Sequence, residues 1–137
     1  MTAFVKNAAR QQLIIAYADF DYTQLVSGTF KALIELPPNA VIVSGALITY
    51  TAWNSATSDV ATVGDSGSGN RYKTSASIAA AAYQVITPTG VKCTTTALRN
   101  VGVTWTGVST APTAGAGCLW LGYFVRGRSQ FAQGLDA

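Results

Sequence analysis

The chain predicts an all-β domain of about eight antiparallel strands, arranged as a sandwich or barrel. Three observations carry this. Apolar residues alternate with polar ones in several short runs, clusters of Gly, Pro, Asn and Ser fall between those runs, and no segment sustains a helical period of useful length.

Taken in order, Leu13-Ile14-Ile15-Ala16-Tyr17-Ala18 is a compact apolar run ended by Asp19, and it predicts a strand. In Thr29 to Leu36, the residues Phe30, Ala32, Ile34 and Leu36 are expected on one face, with Thr29, Lys31 and Glu35 on the other. Pro37-Pro38-Asn39 then turns the chain into the long run Val41 to Trp53, which is apolar on both parities. Val41, Val43, Leu47 and Trp53 share one parity and Ile42, Ala46, Ile48 and Tyr50 the other, with Gly45 as the expected bulge or bend. A short strand Asp59 to Val63 and a loop Gly64 to Asn70 follow. Ser77 to Tyr83 is alanine-rich and permits either a turn of helix or an extended crossover, being too short for a stable isolated helix. Val101, Val103 and Trp105 alternate with Asn100, Gly102, Thr104 and Thr106 as a half-buried strand does. In Cys118 to Arg126, Leu119, Leu121, Tyr123 and Val125 lie on one face and Trp120 and Phe124 on the other, so both faces need a cover. Residues 1–11 and 127–137 show no alternation and read as arms of a single domain spanning 1–137.

Composition narrows the function classes. A chain of 137 residues is long enough to bury about two-thirds of its unfolded surface in one domain. Charged residues make up only 11% of it, roughly half the usual share, so much of the surface is expected to meet protein rather than water. The nine basic and six acidic residues are scattered singly, without a basic run, which gives nucleic-acid binding little support. Apolar stretches fall far short of a membrane span or a signal-peptide core, so manufacture and retention in a cytoplasm are expected. Cys93 and Cys118 fit buried free thiols in a reducing compartment, although spacing alone leaves a disulfide open.

No catalytic set assembles. Gly64-Asp65-Ser66-Gly67 has the wording of a chymotrypsin-like nucleophile site, but the chain contains no histidine to serve as base, and it is too short for a two-barrel protease. Ser66 therefore reads as a turn residue. Asp19 and Asp21 would share a strand face, as acid–base or Ca²⁺-binding pairs do, but such a pair more often marks a strand running into solvent. Asp59 and Asp65 bracket one strand and lie too far apart to act together. Two thiols without histidine fall short of a zinc set, and the glycine loop lacks the lysine of a phosphate cradle. No enzyme activity, cofactor or metal is expected. Trp53, Trp105 and Trp120 with six tyrosines leave a carbohydrate-binding platform open, against a core role for most of them.

The succession Leu36-Pro37-Pro38-Asn39 to Ala46, Thr51-Ala52-Trp53-Asn54 to Ser58, Val63 to Asp65 with Asn70-Arg71-Tyr72, Thr87 to Gly90, and Tyr123 to Arg128 with Gln130-Phe131 resembles small structural proteins of tailed bacteriophages. In particular it resembles capsid cement, or decoration, proteins with a jelly-roll fold, over residues 29–131. The resemblance implies a non-enzymatic protein made in the bacterial cytoplasm that binds the outer surface of the assembled head and bridges neighbouring major capsid proteins. It also implies a homo-oligomer, a dimer before a trimer. On that reading Trp120 and Phe124 are aromatic anchors, Arg126 and Arg128 flank them, and Phe4 and Phe131 pin the arms. The other assignment puts Trp120 and Phe124 in the core with Leu121 and Tyr123 outside, and parity alone does not separate the two. A tail or fibre module, or a carbohydrate-binding sandwich, is the alternative.

Overall fold

Nine strands and one helical turn follow one another in the computed structural model, which describes residues 13–55, 59–107 and 110–126. They are β1 (Ile14–Asp21), β2 (Phe30–Glu35), β3 (Ala40–Thr51), β4 (Val60–Asp65), β5 (Ser68–Ser77), β6 (Ala82–Val85), β7 (Lys92–Cys93), α1 (Thr96–Arg99), β8 (Asn100–Thr106) and β9 (Ala116–Val125). Two antiparallel sheets result. The larger has the order β1-β9-β3-β6, with the two-residue β7 also paired to β3, and the smaller has the order β2-β8-β4-β5. With β7 set aside, this alternation of strands between sheets is the double Greek key of a jelly roll.

The inner faces of the two sheets supply the core. Ile34, Leu36, Leu47, Val63, Val101, Val103, Leu119 and Leu121 are buried between them. Trp53 and Trp105 sit at one end with ring centroids 5.1 Å apart, and Phe20 lies 6.4 Å from Trp53. Offset aromatic contacts of this kind add to the area they bury.

Several local expectations are corrected. In β2 the register shifts between Ala32 and Ile34, so Ile34 and Leu36 are buried while Ala32 is exposed and Phe30 half-buried. A bulge adds a residue to one strand and flips the faces beyond it, which alternation cannot foresee. In β3 the shift against β9 falls between Ile42 and Ser44 rather than at Gly45. That extra residue, Val43, explains why Ile42 and Leu47 both face the core although their parities differ. The expected long loop from Gly64 to Asn70 is instead a tight turn at Ser66-Gly67, with β5 starting at Ser68. Segment 77–83 takes its extended option, with Ile78 buried and β6 beginning at Ala82. The helical turn lies elsewhere, opened by Thr95, whose hydroxyl accepts from the Leu98 N–H.

Candidate functional site

The outer face of the larger sheet is built by the residues that alternate with its core positions. In β9 the core takes Leu119, Leu121 and Tyr123, so Cys118, Trp120, Gly122 and Phe124 point the other way. Cross-strand partners share a face, and the register extends the outer set in rows. Tyr17, Trp120, Ala46 and Val85 form one row, and Asp19, Cys118, Ile48 and Tyr83 the next. Ile15, Gly122 and Ser44 form a third, and Phe124, Val41 and Lys92 a fourth. A Cβ at Gly122 would lie 2.4 Å from the Ser44 hydroxyl, 3.2 Å from Leu13 and 3.6 Å from Ile15, so the glycine lets those side chains close over the strand.

The result is an apolar surface. Ile15, Tyr17, Tyr50, Tyr83 and Val85 are each more than half exposed, and Leu13, Val43 and Phe124 are exposed with them. Trp120 is half-buried in the middle. Among the described residues, none of the exposed large apolar side chains lies on β2, β4, β5 or β8. Strand spacing of about 4.8 Å and a rise of about 3.3 Å per residue give the four-stranded face a footprint of roughly 450 Å². Apolar patches on monomers reach about 300–600 Å², and the large ones are often functional.

Of the expected interface residues, Trp120 and Phe124 therefore lie on the outer face, with Leu121 and Tyr123 in the core. Arg126 is exposed in the turn after β9, where its N–H donates to the Asn39 carbonyl at 3.0 Å. Phe4, Arg128 and Phe131, and with them the two arms, fall outside the described residues. The remaining members of the face, from β1, β3 and β6, were not singled out from the sequence. Their signal was the doubly apolar pattern of Leu13 to Ala18 and of Val41 to Trp53.

The carboxylates have structural partners. Asp65 is buried and accepts from the N–H groups of Gly67 at 2.9 Å and Ser68 at 2.8 Å, and from Arg71 Nε at 2.5 Å. It thus closes the β4–β5 turn, and it raises the Arg71 pKa above its ordinary value, mainly through that hydrogen bond. Asp59 accepts from Trp105 Nε1 at 2.9 Å and from the Ser55 N–H at 3.1 Å, tying the aromatic end of the core to the segment after β3. Asp21 accepts from the Thr23 N–H at 2.9 Å, a turn at the end of β1, and Asp19 stands on the outer face. No group of three potential metal-ligating side chains occurs among the described residues.

Cys93 and Cys118 are both buried and free. Cys93 belongs to the core, whereas Cys118 lies on the outer side of β9 opposite Asp19 and Ile48. Burial pushes both thiols above their ordinary pKa, with the Asp19 carboxylate adding to the rise at Cys118. Trp53 and Trp105 are core residues, so a sugar platform would have to use Trp120 and the exposed tyrosines of the outer face instead. A shallow groove of about 480 Å³ opens beside Tyr22, Leu25, Val26 and Trp105 at the end of the sandwich.

Among solved structures, a chain of the cyanophage Pam1 capsid asymmetric unit has a similar fold. The TM-score is 0.67 at 18% identity, and the match covers 91% of this chain and 93% of that chain. The two chains are thus close in length and similar in fold. No protein-family model matches the sequence, and no curated protein matches it.

Proposed function

We propose that the protein is a non-enzymatic structural component of a phage virion that binds the outside of the assembled head and bridges neighbouring major capsid proteins. The observation that carries this reading is the uncovered apolar face of the larger sheet, in a sandwich of the same form as a chain in a phage capsid asymmetric unit. Interfaces of this kind centre on aromatic anchors with a polar rim, and Trp120, Phe124, Tyr17 and Tyr83 offer the anchors while Lys92 and Arg126 stand at one end.

The energetics suit a lattice binder. A footprint near 450 Å² is about half of one side of a standard interface, which supports modest affinity per copy. Repeated copies bound to the assembled shell stabilise it by mass action, because they bind the shell and not its dissociated subunits. Several such contacts made together give avidity beyond any one of them.

The test is to add purified protein to isolated heads that lack it. Co-sedimentation, with raised resistance of the heads to heat or low salt, is expected. Failure to bind any intact shell would sink the reading. Binding of soluble glycans with quenching of tyrosine and tryptophan fluorescence would favour a carbohydrate-binding module instead, since the exposed Tyr17, Tyr50 and Tyr83 rings are of the kind that stack on sugars.

A further inference from the structure

The four sheet edges are not alike. An edge strand presents unpaired N–H and C=O groups, and proteins that must stay apart blunt such edges with charges, bulges, proline or short length. β2 carries Lys31, Glu35 and a register shift, and β5 carries Arg71, Lys73 and register shifts against β4. β6 is only four residues long. β1 lacks the bulge, the proline and the short length, and its two charges, Asp19 and Asp21, both fall in its second half. Its eight residues pair with β9 without a break in register, and it holds no Lys, Arg, Pro or Gly. Its first charge is Asp19, and Leu13, Ile14, Ile15 and Tyr17 are exposed at and around its open side.

We infer that the open edge of β1 pairs with β1 of a second copy, antiparallel about a two-fold axis, to join two larger sheets into one. Charge selects the antiparallel arrangement. A parallel pair would set Asp19 and Asp21 beside their counterparts, whereas the antiparallel pair places them at opposite ends. Because β9 runs antiparallel to β1, Arg126 lies at the end where β1 begins. The partner's Asp21 arrives at that same end, two strand spacings across and about three residues along from Arg126, or about 14 Å between backbone positions, which the long arginine side chain can largely span. An isologous contact of this kind closes on itself as a dimer.

Geometry adds a consequence. A two-fold axis relating antiparallel neighbours in one sheet stands perpendicular to it, so both apolar outer faces end on the same side. The joined face spans roughly 900 Å², which reaches one side of a standard interface of about 800 Å². Pairing itself does not depend on what that face binds, and it is measured without heads.

Sedimentation velocity over a concentration series, with hydrogen exchange at both ends of the series, tests it. The expected result is a monomer–dimer equilibrium in which β1 amides gain protection as concentration rises and β2, β5 and β6 amides do not. Ile15→Lys with Tyr17→Lys should leave only monomer with an unchanged melting temperature, while Val85→Lys at the opposite edge keeps the dimer. Arg126→Glu should weaken dimerisation by about two-fold, with Asp21→Lys restoring it in the double variant. A wild-type monomer at every concentration would overturn the inference. So would a dimer that survives the β1 variants, or β1 protection independent of concentration, which would mean that the chain's own N-terminal residues cover the edge.

Discussion

The two sheets use the same alternation to build one core, yet their outer faces differ in kind. On the smaller sheet the positions facing away from the core hold Thr62, Thr104 and Thr106, with half-buried Phe30 and Val60 beside the latter two, and the Thr62 hydroxyl donates to the Gly69 carbonyl at 2.9 Å. On the larger sheet the equivalent positions hold Trp120, Phe124, Tyr17, Tyr83 and Val85. A sandwich needs only one apolar face per sheet. The second apolar face therefore adds nothing to the core and leaves surface in water that folding alone would have kept polar. The smaller sheet is apolar chiefly toward the core, whereas the larger carries a second apolar face that the core does not use, and it is there that the proposed contact with a shell would lie.

The sharpest way to separate these roles is to damage the smaller sheet where only folding is involved. Asp65→Ala removes the acceptor for Arg71 and for two turn amides at once. Arg71 is about a quarter exposed and can turn to water, so the cost is chiefly that of leaving the turn amides without their acceptor, about 1–3 kcal/mol. A large drop in the urea midpoint is expected, with head binding lost only in proportion to the unfolded fraction. Retention of stability would show that the β4–β5 turn is held by something other than this carboxylate.

A charge on the apolar face should do the reverse. Phe124→Glu sits on an exposed position, so the melting temperature should barely move, as for most surface changes within about 0.5 kcal/mol. Binding to heads should fall by about thirty-fold, the loss of an aromatic anchor and the arrival of a charge on the face being together about 2 kcal/mol. Thr106→Glu, on the outer side of the smaller sheet, is the matched control and should change neither quantity. Equal losses of binding from both variants would erase the distinction between the faces.

Much of this contrast was legible in the sequence because strand alternation has a period of two and writes each face separately. The doubly apolar run Leu119 to Val125 announced a strand apolar on both faces, and Val101-Val103-Trp105 announced a core strand. Which side was which was not legible, since Leu121 and Trp120 are equally apolar and only the position of the second sheet decides between them. Bulges hid further detail. The extra residue at Val43 mixed the parities of β3, and the shift at Ala32 turned an expected buried position outward, because a bulge depends on the partner strand and not on local composition. Asp65 read as one residue in a glycine loop, and its role appears only when Arg71 folds back across the turn. The one-turn helix at Thr96–Arg99 is too short to leave a period, and its single signal is the capping Thr95.

Smaller effects probe the core side of the same sheets. The Tyr72 hydroxyl is buried with no oxygen or nitrogen partner among the described residues, and the Cys93 thiol is the polar group beside it. Burial raises the pKa of both groups above their ordinary values. A group whose native pKa is raised contributes stability that is complete below its unfolded value and declines as pH rises toward the native one. With an unfolded thiol near 8.5, urea midpoints should hold to about pH 8 and then fall, and Cys93→Ala should flatten that decline whatever it does to stability at pH 7. Tyr72→Phe removes a buried hydroxyl that has no conventional partner, so it should be neutral or stabilising by up to about 1 kcal/mol at pH 7. A clear destabilisation would mean that the hydroxyl does have a partner.

The least effect is expected at Ser66, although it carries the most suggestive wording in the chain. What holds this residue is its backbone, with the N–H donating to the carbonyls of Ala97 at 3.1 Å and Asn100 at 3.2 Å, while the residue itself is exposed. The buried carboxylate beside it is committed to the turn and to Arg71, and the chain has no histidine to accept a proton. Ser66→Ala keeps every one of those backbone bonds, so the melting temperature, dimerisation and head binding should all stay at wild-type values. A loss of any of them would give the hydroxyl a contact of its own and would count against placing the proposed contact on the apolar face alone.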